Sequence, residues 1–197
     1  MEFLQALKTR HSEYQLTKDI YMEEDDLKAY LEDILINTPS AFNSQSQRMV
    51  VLSSDKHDLL WDYLTEKMKD IVKGDQYNKT KEKLLGFKAA FATILFYDDT
   101  ETTKKLQEQL PLYKENFAKW SIEQNGMLQS NVWVGLRTKN IGASLQHYNE
   151  LIDEFVKKEF NIPETWDLRA QMPFGHIEIA GEEKEHMDIE KRFTYIK

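Results

Sequence analysis

From about Asn116 to Lys139 the chain carries Phe117, Trp120, Met127, Leu128, Val132 and Leu136 at helical spacing, spread around most of one long helix's circumference. A helix apolar on so many sides is either central to the fold or buried in an interface. The other segments are amphipathic. Residues 1–9, with Phe3, Leu4 and Leu7, predict a helix that stops at the polar Arg10, His11, Ser12. Glu23 to Asp26 put carboxylates on the first turn of another, where they meet the exposed amide dipoles, and Leu27, Leu31, Ile34 and Leu35 give its buried stripe. Pro39 ends it.

Further helices are expected at 55–73, 78–85, from Glu101 to near Pro111, and at 151–160, with Gly74 breaking the pattern between the first two. Short strands are read at 49–52, 89–97, 141–145, 171–179 (interrupted by Pro173 and Gly175) and in the tail, 193–196. No strict strand-helix-strand repeat is present, so the expected class is α+β: a sandwich with helices around a small sheet. With no linker or internal repeat, residues 1–197 are read as one domain, and the acidic stretch Gly181 to Glu190 as a solvated connection.

A net charge of −8, with 26 basic residues interspersed among 34 acidic ones, gives a field that repels phosphate backbones and argues against a nucleic-acid partner. No stretch approaches the roughly 20 apolar residues of a membrane span, and the N-terminal run does not resemble a signal peptide, so the expected location is the cytoplasm. The absence of cysteine excludes disulfides, thiolate metal sites and thiol chemistry. Any electron chemistry then belongs to a cofactor. Nor is there a Gly-rich phosphate loop, a nucleophile elbow or a histidine pair at ligand spacing, which weakens hydrolase and metalloenzyme readings.

Four clusters could carry chemistry. Arg10, His11 and Ser12 combine a guanidinium, an imidazole and a hydroxyl, a set able to grip a phosphate; the plainer alternative is a polar helix end with a cation favoured by the dipole. Ser40, Asn43 and Gln45, in the polar loop after Pro39, could read the donor and acceptor edge of a heterocycle, or could form an ordinary turn. Gln146 and His147, with Tyr148 and Asn149, follow a strand, a usual place for ligand contacts, although a hydrogen-bonded core histidine is the alternative. Lys191 and Arg192 form a basic pair after the acidic stretch, either a phosphate contact or a solvated surface pair.

In order and position, these clusters resemble the nitroreductase family: Arg-x-Ser at Arg10 to Ser12, Pro-Ser-x-x-Asn-x-Gln at Pro39, Ser40, Asn43 and Gln45 before Arg48 to Val51, and a late basic residue at Arg192. Ala92 to Asp98, Gly142 to Asn149 and Met172 to Gly175 look like its compact branch, which includes small bacterial members and a yeast protein linked to fatty-acid repression. The resemblance spans nearly the whole chain. It implies an interlocked homodimer with one FMN at each end of the interface. Arg10, Ser12 and Arg192 of one chain would hold the phosphate, with His11 and Lys191 nearby, while Ser40, Asn43 and Gln45 of the other reach the ring and ribityl side.

The implied chemistry is ping-pong hydride transfer from NADH or NADPH to a small aromatic acceptor, a nitroaromatic or a quinone. The family usually has a basic residue two positions after the serine, where this chain has Tyr14, so Lys83 is assigned as the cation beside flavin N1. Three alternatives accompany this expectation: a slow flavin-binding regulator, a cofactor-free interaction module, and other flavin chemistry on the same fold.

Overall fold

The computed structural model describes residues 1–182 and 185–197. Among the described residues seven α-helices surround one five-stranded sheet: α1 (Phe3–Thr9), β1 (Gln15–Thr17), α2 (Glu24–Asn37), β2 (Gln47–Ser53), α3 (Ser54–Ile71), α4 (Asp75–Lys88), β3 (Ala92–Asp99), α5 (Thr100–Gln109), α6 (Lys114–Thr138), β4 (Ile141–Ala143), α7 (Asn149–Phe160) and β5 (Trp166–Ile179). The strands run in the order β1-β5-β3-β2, with β4 also on β5, and every strand pair is antiparallel. Among the described residues no helix is long and apolar enough to cross a membrane.

Every residue of β3 is buried, so its alternating side chains feed two separate cores. Ala92, Ile94 and Phe96 face a layer holding Leu27 and Leu31 of α2 with Leu128, Val132 and Leu136 of α6. Leu95 and Tyr97 face Leu60, Trp61 and Leu64 of α3, Leu84 and Phe87 of α4, and Ile152 and Val156 of α7. A bulge lets β5 serve both layers: the β3 partner steps from Ala170 to Leu168 across Phe96 and Tyr97, so these even-numbered residues lie on opposite faces.

The expected α+β sandwich is therefore present, with α6 as the central helix of one layer. Four elements differ from expectation. β5 starts at Trp166, five residues before the expected Gln171, and Pro173 does not interrupt it: its carbonyl accepts the Ser144 N–H on the side where β4 has already ended, so no ladder bond is lost. β3 begins three residues late, after the Ala89 and Ala90 amides have bonded back into α4. β1 is three residues long, too short for its alternation to register in the sequence. The tail 193–196 forms no strand; a short 3₁₀ turn, Ile189–Lys191, precedes exposed coil. Part of the expected solvated connection, Glu183 and Lys184, lies outside the described residues.

Candidate functional site

α1 ends at Thr9, and the next residues run beside β4. Ser12 bridges Ala143, and the Glu13 N–H donates to the Ala143 carbonyl at 3.0 Å. That carbonyl also accepts Trp133 Nε1 of α6 at 3.2 Å, which sets the indole under the turn. Arg10 lies on it, its guanidinium carbon 4.2 Å from the ring centroid. The guanidinium is half-buried, and burial lowers its pKa. Among the described residues no carboxylate lies within 4.0 Å of it. A desolvated cation without an anion favours an anionic ligand.

The 144–149 turn flanks this cation. Gln146 pairs with Gln171 through both backbone bonds, while its side chain is buried and donates to Ser144 Oγ at 3.2 Å. Its amide is thus part of the scaffold. Gln171 Oε1 accepts the Tyr148 N–H at 2.7 Å, and its Nε2 donates to Asn149 Oδ1 at 2.6 Å, so one β5 side chain shapes the turn. His147 is exposed and Tyr148 half-buried, edge-on to Trp61. Burial, and then the neighbouring Tyr14 phenol, raise the Tyr148 pKa. Lys83 reaches the same surface from α4, over the rings of Tyr14 and Phe87. The structure thus gathers Arg10, His11, Ser12, Tyr14, Lys83, Gln146 and His147 around β4, the 144–149 turn and α4.

The second half-site is the loop after α2. Phe42, Asn43 and Gln45 all have positive φ, near 50°, a left-handed conformation that side chains rarely adopt and that surrounding contacts must enforce. Gln124 of α6 does much of that: its Oε1 accepts the Ala41 N–H at 2.9 Å and its Nε2 donates to Ser46 Oγ at 2.6 Å. Ser46 donates to the buried Asp98 at 2.6 Å. Ser40 Oγ accepts the Gln45 N–H at 2.9 Å, and Arg48 holds the Gln45 carbonyl while pairing with Asp99 at 2.8 Å. Burial pushes the Asp99 carboxyl up, but hydrogen bonds from Thr102 and the Glu101 amide, with Arg48, bring it below its usual value.

Beside this loop lies a cavity of about 350 Å³, lined by Ser40, Phe42, Trp120, Gln124 and Met127. Phe42 meets Tyr113, Phe117 and Trp120 at centroid distances of 5.4 to 6.0 Å. Asn43 and Gln45 expose their amides.

The two clusters lie apart in the chain. Gln124 and Trp133 lie nine positions apart on α6, about 14 Å along its axis. Lys191 and Arg192 are exposed, and among the described residues their amides bond to the Asp188 and Ile189 carbonyls and to neither cluster. The sequence reading missed the organisers Gln124, Trp133 and Gln171. Their signal was a polar or indole side chain at a position the apolar periodicity assigns to the interior.

Residues 7–176 match the family model described as Nitroreductase family. The chain is similar to nitroreductase FRM2 of Saccharomyces cerevisiae, 29% identical over 92% of this chain and 91% of that one. Its structure is similar to nitroreductase CinD from Lactococcus lactis, solved in complex with nicotinic acid, at 42% identity, full coverage of both chains and a TM-score of 0.92. CinD in complex with 4-nitrophenol gives 41% and 0.90, also covering both chains fully. A nitroreductase with bound FMN from Desulfitobacterium hafniense covers both chains fully at 18% identity and a TM-score of 0.71, a likeness of fold. With the family model matched over most of its length, the chain belongs to the nitroreductase family.

Proposed function

We propose that this protein is an FMN-dependent NAD(P)H oxidoreductase that reduces nitroaromatics, quinones or both by a ping-pong cycle in the cytoplasm, as a homodimer. One observation carries the reading: the Arg10 guanidinium is half-buried on Trp133 without a carboxylate partner among the described residues, and Ser12 lies two positions on. A phosphate monoester supplies the missing charge and accepts from both groups. The donor set therefore fits the FMN phosphate.

FMN held there would supply the redox chemistry, hydride transfer between reduced nicotinamide and a small aromatic acceptor. Arg10, Ser12 and, in the assembled dimer, Arg192 hold the phosphate, with His11 and Lys191 close by. Ser40, Asn43 and Gln45 of the second subunit donate to and accept from the ring edge and ribityl chain. Lys83 presents positive charge where negative charge collects on reduction, beside Tyr14 and the 146–147 backbone. Aromatic ligands on CinD, nicotinic acid and 4-nitrophenol, support a small aromatic acceptor here.

The separation of the half-sites along α6 supports the dimer, since a second chain brings them together. Ile122 and Met127 on α6, and Phe193, Tyr195 and Ile196 in the tail, are exposed apolar side chains that a second subunit would cover. The visible spectrum of freshly purified protein tests the proposal. Flavin absorbance that bleaches anaerobically with NADH or NADPH and returns with a quinone is expected; a protein that stays colourless after incubation with FMN overturns it.

A further inference from the structure

Tyr14 stands where nitroreductases usually carry a basic residue, and its surroundings give it a different task. α4 approaches the 10–14 turn closely at Gly86, where an added Cβ would lie 3.3 Å from the Tyr14 carbonyl oxygen. That approach brings the Tyr14 ring to 6.2 Å from Phe87, which is buried against Trp61 at 4.9 Å and so is fixed by the core. Lys83 lies one helical turn before Phe87, on the same face of α4. Its ammonium is 5.9 Å from the Tyr14 centroid and 5.5 Å from the Phe87 centroid, over both rings. Among the described residues no carboxylate lies within 4.0 Å of that ammonium.

An exposed lysine normally samples many rotamers, and without a carboxylate nothing ionic restrains it. Here two aromatic faces do so, since a ring's negative face attracts a cation within about 6 Å. An aromatic pair has one advantage over a carboxylate: it aims the ammonium without neutralising it, so the charge stays available to a ligand. We propose that Tyr14 is a positioning residue, which with Phe87 holds the Lys83 ammonium in place toward the bound flavin ring and acts on the flavin through Lys83. The inference rests on the FMN reading above.

The test is a double-mutant cycle on the flavin-loaded protein, with the two-electron midpoint potential and the FMN dissociation constant as readouts and thermal unfolding as a check on folding. Tyr14 is half-exposed and Lys83 exposed, so both positions tolerate substitution. Tyr14→Leu removes the ring and is expected to lower the site's preference for reduced over oxidised flavin by about fivefold, a fall of about 20 mV in midpoint potential. Tyr14→Phe keeps the ring and is expected to restore the wild-type value.

In the Lys83→Gln background, Tyr14→Leu is expected to change nothing further, because a residue acting through another has no effect once that partner is gone. Tyr14→Ser repeats the cycle with a second ring-free side chain. A potential unmoved by loss of the ring overturns the proposal. So does an undiminished effect of Tyr14→Leu in the Lys83→Gln background, which makes Tyr14 a direct flavin contact. Wild-type protein that takes up no FMN overturns the FMN reading, and this inference with it; the two failures are thereby distinct.

Discussion

The Glu13 carboxylate accepts the backbone N–H of Gly181 at 2.6 Å, tying the end of β5 to the turn that carries Arg10. Glu13 is only 2% exposed, and a Cβ on Gly181 would lie 3.1 Å from the Ser12 carbonyl oxygen and 3.2 Å from Glu13 Oε2, so a side chain there requires a neighbour to give by a few tenths of an ångström. Lys191 and Arg192 lie on the segment that leaves from it. Glu13→Leu removes the charged acceptor of the Gly181 N–H and is expected to cost about 1.5–3 kcal/mol, read as a lower urea midpoint, with faster tryptic cleavage at Lys191 and Arg192. Glu13→Gln, which keeps an acceptor, is expected to lose less than half of that.

Arg10 is expected to recognise a phosphate, which gives its variants a selective signature. Arg10→Ala should weaken FMN binding by about 10- to 100-fold, the worth of a charge-assisted hydrogen bond, while leaving riboflavin affinity within about twofold. Arg10→Lys should fall between, because an ammonium keeps the charge but cannot lie flat on Trp133. Fluorescence titration of the apo-protein with the two flavins separates these outcomes.

His57 predicts a pH dependence of stability. Its Nε2 faces only the Lys88 carbonyl, at 3.0 Å, and so carries the proton; Nδ1 then accepts from the Thr93 hydroxyl at 2.8 Å, whose oxygen accepts Trp61 Nε1 at 2.9 Å. Protonating Nδ1 would make the Thr93 oxygen accept from both rings and leave its own proton without the His57 acceptor. Burial accordingly lowers the His57 pKa, outweighing the Lys88 bond that raises it. Since the folded pKa is below the unfolded value of about 6.5, the unfolded chain binds more protons in between. Stability is full above about pH 6.5 and falls as pH drops toward the folded pKa. Urea midpoints measured between about pH 7.5 and 5 should show this slope, and His57→Gln should flatten it.

Gly175 is expected to tolerate no side chain. A Cβ there would meet the Thr17 carbonyl oxygen at 2.4 Å and the Phe91 amide nitrogen at 3.0 Å, both backbone atoms held in place by β1 and β3. Gly175→Ala should cost about 1–3 kcal/mol or more as an overpacked core site, seen as a lowered thermal midpoint. Gly135→Ala is the control: its nearest neighbour is the mobile end of Ile34, which can turn away.

The sequence made the helices legible because their apolar residues repeat, as Leu27, Leu31, Ile34 and Leu35 do, over enough turns to outweigh noise. β1 spans too few residues to repeat anything, and Pro173 looked like a break because a sequence does not say which side of a strand its missing donor faces. The Arg10–Ser12 and Ser40–Gln45 groups were legible because hydroxyls, amides and a guanidinium concentrate there. Gln124 and Gln171 were not, since each acts through bonds to residues far away in the chain. Trp133 was hidden for the same reason: its task depends on α6 passing beneath Arg10.

Because the apolar side chains of β3 are divided between the two cores, Ala92, Ile94 and Phe96 to one and Leu95 and Tyr97 to the other, the layers have no seam along which to part. Losing the α2 and α6 side would bare Ile94 and Phe96 on the strand that anchors Trp61 and Leu95 on the other. Melting is thus expected to be all-or-none in character, with an indole reporter at Trp61 in one core and at Trp133 in the other tracing a single, superimposable transition.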